Sequence, residues 1–279
     1  MNAEKHKSNS QRAFTFVELV TVIAVIGLCA VVVLPALART RNNSSTAQCQ
    51  NNLRQLASAW AMYSADNRGF LVSSYPSFGG FQGSWCKGNA ATGGASGSYT
   101  YGGADPAGIT NGLLWPYVKS LSAYKCPADN RVSLPGNPFP GKPILRSVSM
   151  NSYMAGTSFG VTPQFVITAP SAPQNPTTPV FLKETEISRP ATTWVLLDED
   201  PQSINDGMFL VDMGGSRRLI DLPSRLHGAG YGINFADGHV ENIKLIDQAS
   251  LNWTLSSSQP WGGINDWRKL TNITTYPLN

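Results

Sequence analysis

The 279-residue chain is short of the patterns that mark common enzyme classes. It has no G-x-S-x-G elbow, so nothing aims a serine nucleophile from a strand–helix turn. It has no P-loop and no dinucleotide fingerprint, which removes the usual phosphate cradles. Cysteine is scarce at four residues, and no two form a C-x-x-C pair, so neither a zinc ribbon nor a thioredoxin-type motif is indicated. Charge is low at 14%, and Lys and Arg form no cluster, which argues against nucleic acid as a partner. No tandem repeat of fixed period occurs.

What the chain does have is one long apolar run, Phe14 to Ala38, in which Glu18 is the only charge. As a helix these 25 residues would be about 37 Å long, against a hydrocarbon core of about 30 Å. A carboxylate at a bilayer centre costs roughly 2.5–3.5 kcal/mol, so its presence points to a function. Lys5, Lys7 and Arg12 precede the run and the large domain follows it. The positive-inside rule then predicts a single-pass inner-membrane protein with a cytoplasmic N-terminus and a periplasmic C-terminal domain. Without the leader's Lys5, Lys7, Arg12 and Glu4, 18 basic residues face 16 acidic ones. At 42% hydrophobic content the remainder suits one ordinary folded domain.

Beyond the run, Cys49, Leu53, Leu56, Trp60 and Tyr63 recur at helical spacing, opposite Gln50, Arg54, Gln55 and Ser58. The spacing predicts an amphipathic continuation laid on a sheet, ending at Asp66-Asn67-Arg68-Gly69. Four segments follow: a leader over 1–13, a transmembrane and assembly helix over 14–38, its amphipathic continuation over 39–65, and an exported β-rich domain over 66–279. Gly79 to Gly108 reads as a Gly/Ser-rich surface excursion, and recurrent prolines between Leu134 and Pro179 favour extended edges and loops. Strands are expected at Thr193–Leu197, Phe209–Asp212, Tyr231–Phe235 and His239–Leu245. The last two flank Asp237-Gly238, a hairpin signal. The expected fold is therefore α+β: a long N-terminal transmembrane/amphipathic helix packed on an antiparallel β-rich globular domain with long loops.

The junction Arg12-Ala13-Phe14-Thr15-Phe16-Val17-Glu18-Leu19-Val20 resembles the leader of type IV pilins and type II secretion pseudopilins. That resemblance implies cleavage between Ala13 and Phe14 by a prepilin peptidase and N-methylation of Phe14. It also implies that Glu18 neutralises the Phe14 amine of a neighbouring subunit, and that Pro35 kinks the helix. A paired charge in a dry bundle costs far less than a lone carboxylate. The usual residue before the cut is Gly, where this chain has Ala13. Cys49-Gln50-Asn51-Asn52-Leu53-Arg54-Gln55, Cys126-Pro127-Ala128-Asp129, and His227 followed by nine residues and then Asp237-Gly238 are similar to motifs of the H-X9-DG subfamily of pilin-like proteins. The implied function is structural. The chain would be a pilin-like or pseudopilin subunit of a type II secretion or type IV pilus-like filament, with other subunits and an inner-membrane assembly platform as partners. The alternative is a membrane-anchored periplasmic binding module that uses the leader for sorting.

No catalytic residue and no required cofactor follow from this reading. Cys49 and Cys126 are the preferred disulfide pair, since an exported domain permits one. His227, Asp237 and His239 invite a metal reading, but a straight strand would hold His227 and Asp237 roughly 33 Å apart, and Asp237 reads better as a turn residue. Calcium is the one metal considered for the acidic group Asp198-Glu199-Asp200 with Asp206 and Asp212. Its candidate ligands are Asp198, Asp200 and Asp206, because hard oxygen donors in a loop suit that ion and some major pseudopilins hold calcium near the C-terminus.

Overall fold

Apolar residues three and four apart on a helix need a surface to lie on. In the computed structural model, which describes residues 16–74, 83–92, 100–154, 180–211, 213, 221–254 and 263–275, the surface is one face of a sheet. Helix α1 runs Phe16–Asp66. Leu53, Leu56 and Trp60 are at most 2% exposed and share a core with Val148, Met150, Val195 and Leu196. Burial of each such side chain contributes about 1.5–3 kcal/mol. After Asp66, Arg68 and Gly69 adopt left-handed backbone (φ 57° and 80°) and Gly69 N–H donates to Ser64 O, closing the helix end.

The remaining elements are α2 (Ala107–Thr110), α3 (Trp115–Val118), β1 (Val148–Asn151), β2 (Trp194–Asp198), β3 (Met208–Phe209), β4 (Gly230–Phe235), β5 (Val240–Lys244), α4 (Gln248–Leu251) and α5 (Ile264–Thr274). The strands form one sheet in the order β3-β1-β2-β4-β5. β1 and β3 are parallel, and the other neighbours are antiparallel. Pairing of β2 with β4 slips by one residue between Trp194 and Leu196. That bulge breaks the alternation of faces. Val195 and Leu196 both join the core beneath α1, whereas Trp194 and Leu197 join a second core with Phe209, Ile233, Phe235 and Leu270 of α5. Asn234 Oδ1 repairs the irregularity by accepting the Leu196 N–H at 2.7 Å.

Two expectations are corrected. Among the described residues, no helix is long and apolar enough to cross a membrane. Spanning a hydrocarbon core of about 30 Å takes about 20 consecutive, predominantly apolar residues, and no described helix supplies them. The transmembrane helix, and with it the single-pass inner-membrane placement, is therefore withdrawn. The sheet is also mixed rather than antiparallel, because β3 returns beside β1 in the same direction.

The chain divides into two compact units, Met1–Asn43 and Ser44–Asn279. In the first, Phe16, Val17, Leu19, Val20, Val22, Ile23, Val25, Ile26, Leu28 and Val31 are 46–78% exposed. In the second lie the sheet, both cores and all the elements described next.

Candidate metal centre

Cys49, Cys126, Asp198 and His227 converge in the second unit, with one potential ligand atom of each inside a sphere of contacts no wider than 4.8 Å. All four are buried, at 1%, 0%, 0% and 4% exposure. Cys49 Sγ donates to Asp198 Oδ2 at 2.7 Å, Cys126 Sγ lies 3.1 Å from His227 Nε2, and His227 Nε2 stands 3.7 Å from Asp198 Oδ2.

Each residue is placed by a different element. Cys49 sits on α1, one turn before Leu53. Cys126 follows the 3-10 turn Leu121–Tyr124. Asn52, on α1, holds that turn by donating from Nδ2 to Ser122 O and Lys125 O at 2.8 and 2.9 Å. Asp129 fixes the far side of the Cys126 loop, accepting from Arg131 at 2.8 Å and from Ser147 Oγ at 2.7 Å. Asp198 ends β2. His227 precedes a tight return in which Gly228 and Ala229 both have φ near 63°, and its N–H donates to Gly230 O. Gly232 of β4 leaves room for the assembly: a Cβ there would stand 2.6 Å from Leu53 Cδ1 and 2.9 Å from Asp198 Oδ2.

The electrostatics are those of donors crowded together in a dry space. The Cys126 thiol is pulled down to about 5, first by its hydrogen bond with Cys49 and then by His227, against the opposing effect of burial. The same Cys126 bond, then burial and the Asp198 charge, push Cys49 well up. Burial, reinforced by Cys126, raises the Asp198 carboxyl to about 7. Burial opposes a charged imidazole at His227, yet its bond to Cys126 and the charges of Cys126 and Asp198 outweigh it and raise its pKa. Cys126 and His227 thus shift in opposite directions, each toward its charged form, because each supports the other across a 3.1 Å contact. Such a pair is also the start of a cysteine nucleophile. Here the sulfur is fully enclosed, and the surface pocket lined by Lys87, Asn89, Asp105 and Arg146 contains none of the four residues.

The expected site residues have different fates. Cys49 and Cys126 are brought together, as free thiols rather than a disulfide. His227 joins them, but Asp237 and Gly238 do not. They form the turn at the opposite end of β4, a strand of six residues and so about 20 Å long. There Asp237 Oδ1 accepts from His239 at Nδ1 and at the backbone N–H (2.5 and 3.1 Å), and Gly238 has φ 91°. The calcium candidates scatter. Asp198 belongs to the cysteine cluster, Asp200 is tied to Arg225 at 2.8 Å, and Asp206 Oδ1 accepts the Met208 N–H. Glu18 lies exposed in the first turn of α1, where the helix dipole favours a carboxylate. Ala13 and Phe14 fall outside the described residues, as does Asp212, and so does the side chain of Pro35.

The four-residue convergence was missed because its members carry no local spacing. The only sequence signal was that Cys49, Cys126 and His227 each stand in a separate recognisable motif. Compared with protein-family models, curated proteins and solved structures, the chain has no match.

Proposed function

We propose that the chain is a pilin-like structural subunit that self-assembles through the N-terminal part of α1, after cleavage by a prepilin peptidase before Phe14. The observation that carries this is the ten large apolar side chains between Phe16 and Val31, all substantially exposed. Their positions circle the helix instead of forming one stripe. A helix that is apolar on every side is one that belongs inside a bundle. The occupant that fits is the same segment of other copies, because identical apolar helices offer matched length and the leader-like junction supplies a register. In that arrangement Glu18 meets the Phe14 amine of the next subunit, and the sheet unit is the part displayed.

The test combines mass and cross-linking. Protein purified from its native cells should begin at N-methylated Phe14. In a Cys29→Ala background, Gly27→Cys or Val31→Cys should cross-link into ladders. Gly27 has no atom within 4 Å of an added Cβ, so the substitution is sterically accepted. Glu18→Ala should abolish the ladders while leaving the sheet unit folded. A chain that keeps Met1 and gives no ladder would overturn the proposal.

A further inference from the structure

We propose that Cys49, Cys126, Asp198 and His227 form a closed, structural binding site for one zinc-class divalent cation. This goes beyond the assembly reading and does not rest on it. The donor set is two sulfurs, one imidazole nitrogen and one carboxylate oxygen, all of types that zinc takes. Calcium and magnesium are excluded by the same set, since they require mostly oxygen.

The geometry is close to what such an ion needs. Metal–ligand bonds of about 2.0–2.3 Å in a tetrahedron place the ligand atoms roughly 3.3–3.8 Å apart. His227 Nε2 to Asp198 Oδ2 is 3.7 Å and Cys126 Sγ to His227 Nε2 is 3.1 Å. The Cys126 Sγ–His227 Nε2 contact must open slightly and the Cys49 Sγ–Asp198 Oδ2 contact, at 2.7 Å, by most of an ångström, while all four ligand atoms already lie within 4.8 Å of one another. The surroundings fit too. His227 presents Nε2 to the cluster and has its other nitrogen, Nδ1, 3.2 Å from Thr46 Oγ1, one turn before Cys49 on α1. An outer partner of that kind fixes ring orientation and tautomer at zinc sites. Gly232 N–H donates to Asp198 Oδ2 at 3.1 Å.

A second, independent observation points to a missing partner. Asp198 Oδ1 is buried and has no hydrogen-bond partner among the described residues. A fully buried carboxylate half satisfied in this way is costly unless something positive completes it. Four protein ligands leave no open position for substrate, so the role is structural. The ion would tie α1 to segments 149 and more residues away, and join the Cys126 loop to His227 across 101 residues. Closing loops of that length restrains the unfolded chain strongly.

The experiment uses the full chain, purified under reducing conditions and stripped with a chelator. Native mass spectrometry after zinc addition should find about one ion per chain, and cobalt(II) should give a thiolate-to-metal charge-transfer band. Cys126→Ser and Asp198→Asn should lose the tight ion, whereas Cys86→Ser, at the buried cysteine outside the cluster, should keep it. Stripping should lower the midpoint of thermal unfolding of the unsubstituted protein, and zinc should restore it. The unsubstituted protein decides the matter even if a variant does not fold. Failure of the reduced, folded chain to take zinc would overturn the site. So would a cobalt complex without thiolate bands, or undiminished binding after Cys126→Ser.

Discussion

The two ends of α1 are both rich in large apolar side chains, yet among the described residues only those of the second unit are buried. Around Leu53, Leu56 and Trp60 the apolar residues form a stripe, polar residues occupy the opposite side, and the stripe is at most 2% exposed. From Phe16 to Val31 the apolar residues face every direction, and the least exposed of the ten is still 46% open. A stripe needs one surface, which a sheet supplies. A cylinder needs several neighbours, and copies of the chain can provide them. Distribution around the axis, more than hydrophobicity itself, separates the part of the helix that docks within its own fold from the part whose apolar side chains stay exposed.

The comparison breaks most severely at Trp60. Trp60→Ala should cost about 3–5 kcal/mol in denaturant unfolding, because a fully buried indole leaves a cavity between α1 and the sheet. A loss below about 1 kcal/mol would mean that the stripe is not seated as described. Gly232→Ala comes next, at about 1–3 kcal/mol, since the new methyl would press on Leu53 and on Asp198 Oδ2. The same variant should weaken zinc uptake, linking helix docking to the cluster in a single measurement.

A smaller effect follows from buried carboxylates on the sheet side. Burial, with the Asp206 charge, raises Asp221 to about 8, and burial with Asp221 raises Glu199 well above its ordinary range. The folded state therefore holds protons that the unfolded chain releases near the ordinary carboxylate value of 3.8. For Asp221 the stabilising contribution is complete below that value and is lost as pH rises through about 8, and Glu199, also raised, contributes with the same sign. Unfolding midpoints should fall from pH 5 to pH 8, and Asp221→Asn should flatten the slope. The smallest effect on stability is expected in the N-terminal part of α1. Leu19→Ala or Ile23→Ala should change unfolding of the sheet unit by no more than about 0.5 kcal/mol, yet reduce cross-linked ladders sharply. Equal losses in both measurements would erase the distinction between the two ends.

Much of the local structure was legible. The 3- and 4-residue spacing of Leu53, Leu56 and Trp60 identified the docking face. Asp237-Gly238 marked the β4–β5 turn, and β-rich segments near Trp194–Leu197 and Tyr231–Phe235 read as strands. These signals are local, since neighbouring residues bias the same few dihedrals. The bulge at Val195 was not legible, because a pleat read from sequence alternates faces without interruption. Nor was the parallel β1–β3 pair, which depends on where a long connection returns.

The membrane expectation shows the limit of a pattern counted in residues. A run of 25 residues with Glu18 as its only charge was enough to predict a span, whereas no helix among the described residues is long and apolar enough to cross a membrane. The cysteines show the converse limit. Absence of a C-x-x-C pair argued against a zinc site, yet Cys49, Cys126, Asp198 and His227 meet although no two of them lie close in sequence.

By itself the sequence determined the apolar cylinder at the start of α1, the stripe that follows it and the turn chemistry at Asp237-Gly238, because periodicity and backbone preference act over a few residues. Tertiary structure alone decided that one cysteine on α1, one after a short turn, the last residue of β2 and a histidine before β4 would share one dry space. That placement depends on Asn52 holding the Cys126 loop, on Gly228 and Ala229 turning back the His227 segment, and on Gly232 letting the helix close on the sheet. Contacts between distant segments form only when the whole chain closes its loops, and no short window of sequence records which ones will close.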